Sequence, residues 1–572
     1  MDWSRPNPWR IHHSHLHTSP RHHPRCDRYY RQCWRWRPFH LRNWLCFLVL
    51  NLKNHHFYLH KALEAMKIHH FWVGLICIFL ILLTHPSLQT AYSQTGNQSD
   101  VTGPNLQELL SFPPSESDNS SGSNDNTSFN DVEIAREAFE SQFLQSDFEQ
   151  ALQLFEEFQA VEYAKYFDLK LYGRTATLCE IAQVLDRLAQ STQQRSAIIY
   201  IVSLQNELNI LAIFPKNDAC SSPQLLNKQN AELSPFAQIK IQEIPRSSLE
   251  ETINQFRQEI TNPRKVRTTS YEPYASQLYQ GLIQPLEVSL SDQKIDTLIF
   301  CLDKKIRSLP IAALYHNQHF LIEDYQIGLI PSFSLIDPAY RSVQSATLLG
   351  FGVSDGGRNQ ELPPLPAVPL ELSWLQKIWQ SQTFLDRQAT VENLQEYSKT
   401  PNTRMMHIAT HAEFRPGDIS NSFIQLWDRN VGLDQLRELS QDSQWNQNPR
   451  VELLTLSACR TALGSEEAEL GFSGLALQAG VKTSLGSLWY TSDEGSLALM
   501  AEFYHQLQDS TVKITALRQT QLNMINGSIN IRESRLHLSS DLTIDIQDQF
   551  SSSQTFNHPY YWSAYTLIGN WN

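Results

Sequence analysis

Two short apolar segments near the C-terminal end of the chain each finish in a reactive side chain. One runs from Met405 to His411, and the other runs from Val451 to Cys459. A buried strand of an open α/β sheet delivers the residue at its carboxyl end to the edge where ligands bind. There an imidazole can take the proton of a thiol, and the resulting thiolate can attack a carbonyl carbon. We therefore predict that His411 and Cys459 form a catalytic pair.

Each member of this pair has a structural alternative. A free cysteine at the end of an apolar strand is often a core residue, but a histidine at the end of a second strand favours a nucleophile. His407 competes with His411 for the role of base, because both residues share one face of the strand. Since His407 lies between Met406 and Ile408, we predict an interior histidine there and assign the base to His411.

Apolar segments of strand length alternate with segments of helical period over the second half of the chain. The predicted strands cover 296–302, 346–353, 404–410, 451–457 and 483–489. The predicted helices lie near 368–380, 390–398, 470–479, 493–508 and 511–525. Strands that alternate with helices of about ten to fifteen residues are typical of βαβ units. The pattern predicts an α/β fold with a mainly parallel sheet flanked by helices.

The segments around this region have simpler patterns. Residues 131–195 carry two amphipathic helices with the look of one degenerate tetratricopeptide-type repeat, and we predict a small helical cap because such solenoids need about three repeats. Residues 196–269 begin with a β-hairpin and form the first part of the α/β region, whose core spans 270–572. Residues 526–558 are polar and predict a surface insertion, and the apolar stretch 560–571 is expected to pack on the core.

The N-terminal part of the chain differs in composition from the rest. Residues 1–65 hold 10 of the 20 His and 11 of the 46 Lys and Arg, with three acidic residues. We interpret them as an upstream extension foreign to the native protein, and a basic nucleic-acid-binding arm is the alternative. Residues 66–93 have the charged start, short apolar stretch and small-residue cleavage site of a signal peptide. Translation from Met66 would export a mature chain that begins at Gln94, to the periplasm or the cell exterior.

Two further expectations concern the same region. An uncleaved signal anchor that tethers the chain to a membrane is the alternative to cleavage, although an apolar stretch of 13 residues is short for a bilayer that needs about 20. Residues 94–130 are rich in Ser, Asn, Asp, Gly and Pro. Such a composition offers too little apolar surface to offset the entropy of ordering, and it predicts a disordered linker.

Charge and cysteine usage exclude some classes of function. Without residues 1–65 the chain holds 35 Lys and Arg against 56 Asp and Glu, a net charge of −21. This balance argues against nucleic acid as a partner and for a solvated acidic surface, on which we expect Glu361, Glu371 and Asp386. The cysteines that follow the signal peptide lack CxxC spacing, so neither a zinc site nor a disulfide framework is indicated. A disulfide bridge between Cys179 and Cys220 is one possibility that the sequence allows.

A set of motifs in the second half of the chain resembles those of CHAT domains. The motifs are HIATH at 407–411, LSACRT at 456–461, a glycine-containing helix start at 470–475, SLW at 487–489 and HPYYW at 558–562. CHAT domains are caspase-like, separase-related cysteine peptidase domains, usually preceded by tetratricopeptide repeats. His411 and Cys459 lie 48 positions apart, near the roughly 50-residue His-to-Cys spacing of the caspase pattern. The resemblance runs from about residue 270 to the C-terminus, and more loosely back to residue 131.

The resemblance implies a caspase/separase-like fold and an endopeptidase with a Cys/His dyad and no metal or organic cofactor. By motif position, Cys459 would be the nucleophile and His411 the general base, with the backbone N–H groups of Cys459 and Ala412 stabilising the oxyanion. The family commonly has Gly at the position of Ala412, and alanine loses the freedom of positive φ. We expect a protein or peptide substrate and a regulatory protein partner, with no nucleic acid and no membrane embedding beyond the signal segment.

The resemblance also implies a substrate preference. In separases, a Trp followed four residues later by Asp marks the acidic floor of the pocket for the residue before the cut, and Trp489 and Asp493 match that spacing. A carboxylate there would receive Arg in a bidentate pair or Lys as a point charge. The alternative is a helix N-cap, since Ser492 and Asp493 precede a helical segment. A caspase-like preference for Asp would instead need a basic pocket, for which Arg460 is the nearby candidate.

The sequence therefore predicts a cysteine endopeptidase of caspase/separase type that cleaves after Arg or Lys. Ala412 leaves open a catalytically silent, peptidase-like scaffold that binds protein partners. An acyltransferase that uses the same dyad is a third candidate, which product analysis would distinguish.

Overall fold

The computed structural model describes residues 127–169, 174–216, 234–358, 362–400, 402–445, 451–457, 460–461, 465–546 and 550–572. The candidate signal peptide and Cys459 lie outside these ranges. Among the helices within them, none combines the length and the apolar character that crossing a membrane requires.

Helices and strands alternate through the described ranges. The helices are α1 (Thr127–Gln145), α2 (Phe148–Phe167), α3 (Leu178–Thr192), α4 (Arg246–Ile260), α5 (Glu272–Leu282), α6 (Glu287–Asp292), α7 (Leu321–Asp324), α8 (Val368–Ile378), α9 (Val391–Tyr397), α10 (Leu433–Asp442), α11 (Glu466–Ser473), α12 (Leu475–Ala479), α13 (Asp493–Asp509), α14 (Lys513–Ile525) and α15 (Pro559–Trp562). The strands of the first half are β1 (Ser196–Ser203), β2 (Leu208–Ile213), β3 (Phe236–Ile241), β4 (Thr297–Leu302), β5 (Tyr315–His316), β6 (His319–Phe320), β7 (Gln326–Ile330), β8 (Thr347–Gly352), β9 (Ser381–Leu385) and β10 (Thr403–Ala409). The later strands are β11 (Ala412–Phe414), β12 (Phe423–Gln425), β13 (Asn430–Gly432), β14 (Leu453–Ser457), β15 (Arg460–Thr461), β16 (Thr483–Ser487), β17 (Asn530–Arg532), β18 (Arg535–His537), β19 (Thr543–Asp545), β20 (Ser553–Thr555) and β21 (Tyr565–Gly569).

An eleven-stranded sheet with the order β3-β2-β1-β4-β7-β21-β16-β14-β10-β8-β9 organises the fold. The strands β1, β4, β7 and β21 form one parallel set, and β16, β14, β10, β8 and β9 form a second. The two sets run in opposite directions because β21 and β16, where they meet, are antiparallel. Two antiparallel strands, β2 and β3, extend the first set. The predicted α/β fold with a mainly parallel sheet flanked by helices is confirmed.

Composition explains why these segments become central strands. Every residue of β1, β4, β7, β10, β14 and β16 is buried. Strands covered on both faces have nearly continuous apolar sequences rather than alternating ones, and this pattern predicts them. Each predicted strand corresponds to an observed one with ends within about three residues, an error usual for sequence-based boundaries.

Other segments differ from expectation in instructive ways. Residues 526–558, expected as a polar surface insertion, contain an antiparallel four-stranded sheet of β19-β18-β17-β20, in which Ile531 and Leu536 are buried. The C-terminal stretch does not simply cover the core, since β21 lies within the main sheet between β7 and β16. The helix expected from residue 470 begins at Glu466.

The helical cap packs on the carboxyl ends of β1 and β4 through buried charges. Arg136 of α1 donates to both carboxylate oxygens of Asp303 at 2.7 Å and to the carbonyl oxygen of Ser203 at 2.7 Å. Although burial alone would raise the pKa of Asp303, the Arg136 guanidinium holds it below its usual value. In α2, the buried Glu156 accepts hydrogen bonds from the hydroxyl of Ser332 and from the N–H of Phe333. The cap is thereby joined to the sheet by polar contacts with little freedom of position.

The buried Arg136–Asp303 pair gives a first prediction. Arg136→Met is expected to lower the free energy of unfolding by about 3 kcal/mol, because Asp303 would keep a buried charge without its partner. Urea unfolding followed by circular dichroism measures the loss. The matched control is Arg174→Met, which removes an exposed arginine paired with Glu180 and should leave stability unchanged. Equal losses in both variants would contradict the assignment.

Candidate active site

The ends of β10 and β14 lie side by side at one edge of the main sheet. The two strands pair in parallel, with Ala409 opposite Ser457. Beyond the end of β10, the N–H of Thr410 still donates to the carbonyl oxygen of Ser457 at 3.1 Å. The residues that follow each strand therefore start from neighbouring positions at the same edge.

The chain segments that follow these strands also pair with each other. A second small sheet has the order β13-β12-β11-β15, and in it β11 and β15 are parallel with Glu413 opposite Arg460. The pairing resumes two residues after His411 and one residue after Cys459. Cys459 itself and the side chain of Arg460 lie outside the described part of the chain, so the predicted dyad stays a prediction.

His411 is half-buried, and its ring is oriented by a backbone carbonyl. Its Nε2 lies 2.8 Å from the carbonyl oxygen of Pro363. A carbonyl oxygen only accepts hydrogen bonds, so Nε2 carries the proton and the lone pair resides on Nδ1. An imidazole held by a third group in this way has the orientation that the predicted role of general base requires. Sequence reasoning missed Pro363 because a backbone acceptor has no side-chain signature.

His407 belongs to a buried network below the edge, as expected of an interior histidine. Its Nε2 lies 2.9 Å from Oε1 of Glu371, and its Nδ1 lies 3.2 Å from the hydroxyl oxygen of Tyr504. The Tyr504 hydroxyl donates to Thr455 Oγ1 at 2.9 Å, so its oxygen is free to accept from the imidazole. The hydroxyl of Ser457 donates to the other oxygen of Glu371 at 3.1 Å. One carboxylate thus joins α8 to both strands, β10 and β14.

The expectation of a solvated Glu371 was wrong, since the residue is 2% exposed. The helical period contained the signal, because Glu371 lies three residues after Val368 and four before Leu375, and both of these are buried. An acidic residue on an apolar stripe should have predicted a buried partner. Asp386 is likewise engaged rather than only solvated, because it accepts from the N–H of Ser354 at 2.7 Å.

Ala412 is the position where the family commonly has glycine. It begins β11, is buried, and pairs with Ile424 of β12. Among the described residues that have a positive φ, Ala412 does not occur. The backbone at this position therefore does not use the left-handed region, and alanine can adopt it without strain.

Asp493 follows β16 at the same edge. Ser492 is the N-cap of α13, since its hydroxyl accepts from the N–H of Gly495 at 3.1 Å, so Asp493 is not needed for capping. Its carboxylate instead accepts from the N–H of Ala367 at 3.0 Å. Burial raises the pKa of Asp493 to about 6, and the nearby charge of Glu371 adds to the effect. The role of Asp493 in substrate binding stays a prediction.

The Glu371 network gives a second prediction. Glu371→Leu is expected to lower the free energy of unfolding by about 3 kcal/mol, because Ser457 loses its buried acceptor and His407 loses the carboxylate beside its ring. The double variant Glu371→Leu/His407→Leu should recover most of this loss, since both polar partners are then absent. Urea unfolding of the wild type, both single variants and the double variant measures the coupling. Additive losses would show that the two side chains do not interact.

Comparison with known proteins places this geometry in context. A chain of the Saccharomyces cerevisiae separase–securin complex is similar at 9% identity with a TM-score of 0.42, over 73% of this chain and 33% of that one. This chain thus spans about a third of the length of that relative. The Arg specific cysteine proteinase gingipain R is similar at 7% identity with a TM-score of 0.31, over 57% of this chain and 74% of that one. No curated protein sequence matches the chain.

The family comparison is more specific. The sequence profile of the CHAT domain matches residues 272–570, which is more than half of the chain and includes β4 to β21 with both strands of the candidate site. It is also the region in which the motifs around His411 and Cys459 lie. The chain therefore belongs to the CHAT-domain family and has its caspase-like cysteine peptidase fold.

Proposed function

We propose that this chain is a cysteine endopeptidase in which Cys459 is the nucleophile and His411 the general base. One observation carries the proposal: the chain is paired in parallel both before and after the two residues. Ala409 lies opposite Ser457 before them, and Glu413 lies opposite Arg460 after them. This double pairing supports a short distance between an imidazole and a thiol that are 48 positions apart in sequence.

The proposed mechanism assigns each nitrogen of His411 a separate task. The Nε2–H group donates a hydrogen bond to the carbonyl oxygen of Pro363, which holds the ring in place. The lone pair on Nδ1 accepts the thiol proton of Cys459. The thiolate attacks the scissile carbonyl carbon, and the Nδ1–H then protonates the leaving amine. The thioester is hydrolysed by a water molecule that Nδ1 deprotonates.

The developing oxyanion needs backbone donors in this mechanism. We assign them to the N–H groups of Cys459 and Ala412. The backbone of Ala412 lies outside the positive-φ region, so alanine is unstrained at this position and keeps its N–H as a donor. Ala412→Gly should accordingly change turnover by less than about threefold, since glycine would supply the same N–H.

Selectivity for Arg or Lys before the cut would come from Asp493. This half-buried carboxylate lies after β16, the neighbour of β14 in the sheet. Tyr490, which is 47% exposed, precedes it by three residues and offers an aromatic face to a guanidinium. Glu494 adds negative charge beside it. An acidic pocket with an aromatic wall favours a long cationic side chain over the Asp that caspases prefer.

The dyad is tested with a thiol-reactive peptide probe that carries Arg at the leading position. Under reducing conditions we expect the wild type to be labelled, Cys459→Ala to lose labelling completely, and His411→Ala to react at least about 100-fold more slowly. The matched control is Cys301→Ala, which removes a buried free cysteine and should keep the label. An unlabelled wild type would favour the silent scaffold.

The pocket is tested by pairing an arginine substrate with its citrulline analogue, which has the same shape without the charge. Above pH 6, kcat/KM for the arginine substrate should exceed kcat/KM for the citrulline substrate by a factor of about 10 to 100. This factor corresponds to the free energy of a charge-assisted hydrogen bond. The ratio of the two values should fall as the pH drops through about 6, because protonation neutralises Asp493. Dividing the two rates cancels the titration of the dyad. In Asp493→Asn the ratio should stay near one at every pH, and a pH-dependent ratio in that variant would contradict the assignment.

We also propose that the mature chain works in an oxidising compartment after export from Met66. Cys179 is disulfide-bonded, and disulfides persist mainly in secreted and periplasmic proteins. Its bonding partner lies outside the described residues, so the Cys179–Cys220 pairing stays a prediction.

Two measurements on protein from the native host test the export proposal. N-terminal sequencing should give Gln94, and alkylation of the denatured chain should modify Cys179 only after reduction. A chain that starts at Met1 with a freely alkylated Cys179 would contradict export.

A further inference from the structure

A short hairpin between β4 and β7 brings two histidines together. Its turn residues, Asn317 and Gln318, have φ values of 44° and 70°, the conformation of a two-residue type I′ turn. His316 and His319 flank this turn and are paired directly across it. Residues paired in this way project from the same face of a hairpin, so both imidazoles lie on one side.

A carboxylate converges on the same point. Oδ2 of Asp324, the last residue of α7, lies 2.7 Å from Nε2 of His316 and 3.1 Å from Nε2 of His319. The three candidate ligand atoms all lie within 4.8 Å of one another. Ligand atoms about 2.0 to 2.1 Å from a tetrahedral zinc ion are separated by roughly 3.3 Å. Small shifts of these side chains would therefore produce a tetrahedral site.

The surroundings hold these side chains in place. The ring of His316 stacks on Tyr279, with centroids 3.9 Å apart and planes at 13°. In α7, the carboxylate of Glu323 accepts from the N–H of Phe320 at 2.8 Å, and Arg518 donates to the carbonyl oxygen of Ile322 at 2.8 Å. The donors are thus set on two anchored segments rather than on free loops.

Hydrogen bonding at the outer nitrogen of His319 fits ligation, whereas Nδ1 of His316 lies 3.3 Å from the amide nitrogen of Asn317. Nδ1 of His319 lies 3.2 Å from the carbonyl oxygen of Asn317, which only accepts, so Nδ1 carries a proton. Ligating histidines usually donate their second N–H to a carbonyl in this way.

We propose that His316, His319 and Asp324 bind one divalent transition-metal ion of the zinc class, with water as the fourth ligand. Two imidazoles and one carboxylate suit zinc and its neighbours in the first transition row, whereas calcium and magnesium take oxygen ligands. The side chains of His316, His319 and Asp324 are 16%, 32% and 36% exposed, so ions from solvent can reach them. Cysteine spacing gave no hint of this site because its ligands are histidine and aspartate.

The bound ion would join the hairpin to α7 at a significant place in the fold. Asp324 lies two residues before β7, and β7 runs opposite to β10, so its amino end shares the edge at which His411 lies. Four strand spacings, roughly 19 Å, separate β7 from β10, and the site is therefore distinct from the candidate dyad. The proposal depends on no property of Cys459 or His411.

The test is a zinc titration of the full, metal-stripped chain without a polyhistidine tag. A chromophoric competitor reports free zinc, and the comparison is made between variants because residues 1–65 hold ten histidines of their own. We expect His319→Ala and Asp324→Asn each to lose one zinc-binding event of the wild type, the one at this site. If that event is still seen, its dissociation constant should be at least about 100-fold higher than in the wild type. The control is His505→Ala, which removes a histidine bonded to Ser540 and should bind as the wild type does.

Cobalt substitution and thermal unfolding complete the test. Wild-type protein with one equivalent of cobalt should show the visible absorption of tetrahedral Co²⁺, and the Asp324→Asn variant should lack it. Without metal, Asp324→Asn should unfold at the same temperature as the metal-free wild type. Equal temperatures would show that the variant is folded and that its loss of metal binding has another cause. Equal zinc stoichiometry with equal affinity in the wild type, His319→Ala and Asp324→Asn, or an equal loss in His505→Ala, would overturn the proposal.

Discussion

The parallel register of β10 against β14 is the constraint on which the candidate site depends. A shift by one residue would turn every side chain of a strand to the other face, and it would separate the segments that carry His411 and Cys459. Backbone pairing alone does not specify one register among apolar strands. Glu371 adds a constraint, because in this register its carboxylate lies against His407 of β10 and accepts a hydrogen bond from Ser457 of β14. A shift of either strand would cost the buried carboxylate one of these partners.

Two acidic residues near this edge have different environments and different roles. Glu371 belongs to α8 and is covered by the strands, where Ser457 donates to its carboxylate and His407 lies beside it. Asp493 lies nearer to solvent, and its carboxylate has a backbone N–H as a described partner. Burial and the neighbouring Glu371 raise the pKa of Asp493, so an incoming cation would relieve an unfavourable charge. The same buried carboxylate thus contributes to the scaffold and to the proposed preference for Arg or Lys.

Local pattern and distant pairing explain which features could be predicted from the sequence. Strands such as β10 and β14 could be predicted, because a strand that is buried on both faces has a mostly apolar sequence. The opposite direction of the two strand sets could not be predicted, because it depends on β21 entering between β7 and β16 from the end of the chain. The contact of His411 with the Pro363 carbonyl and the pairing of β11 with β15 could not be predicted either, since backbone contacts do not select residue types. The burial of Glu371 could have been predicted from its helical spacing relative to apolar residues.

The most direct test of the account measures the acidity of the Cys459 thiol. The rate of alkylation of Cys459 by iodoacetamide is followed against pH through the mass of its peptide, in the wild type and in His411→Ala. A histidine partner should hold the thiol pKa well below the value of about 8.5 for a free cysteine, and its removal should return the profile toward that value. Identical profiles near 8.5 in both proteins would contradict a dyad between His411 and Cys459.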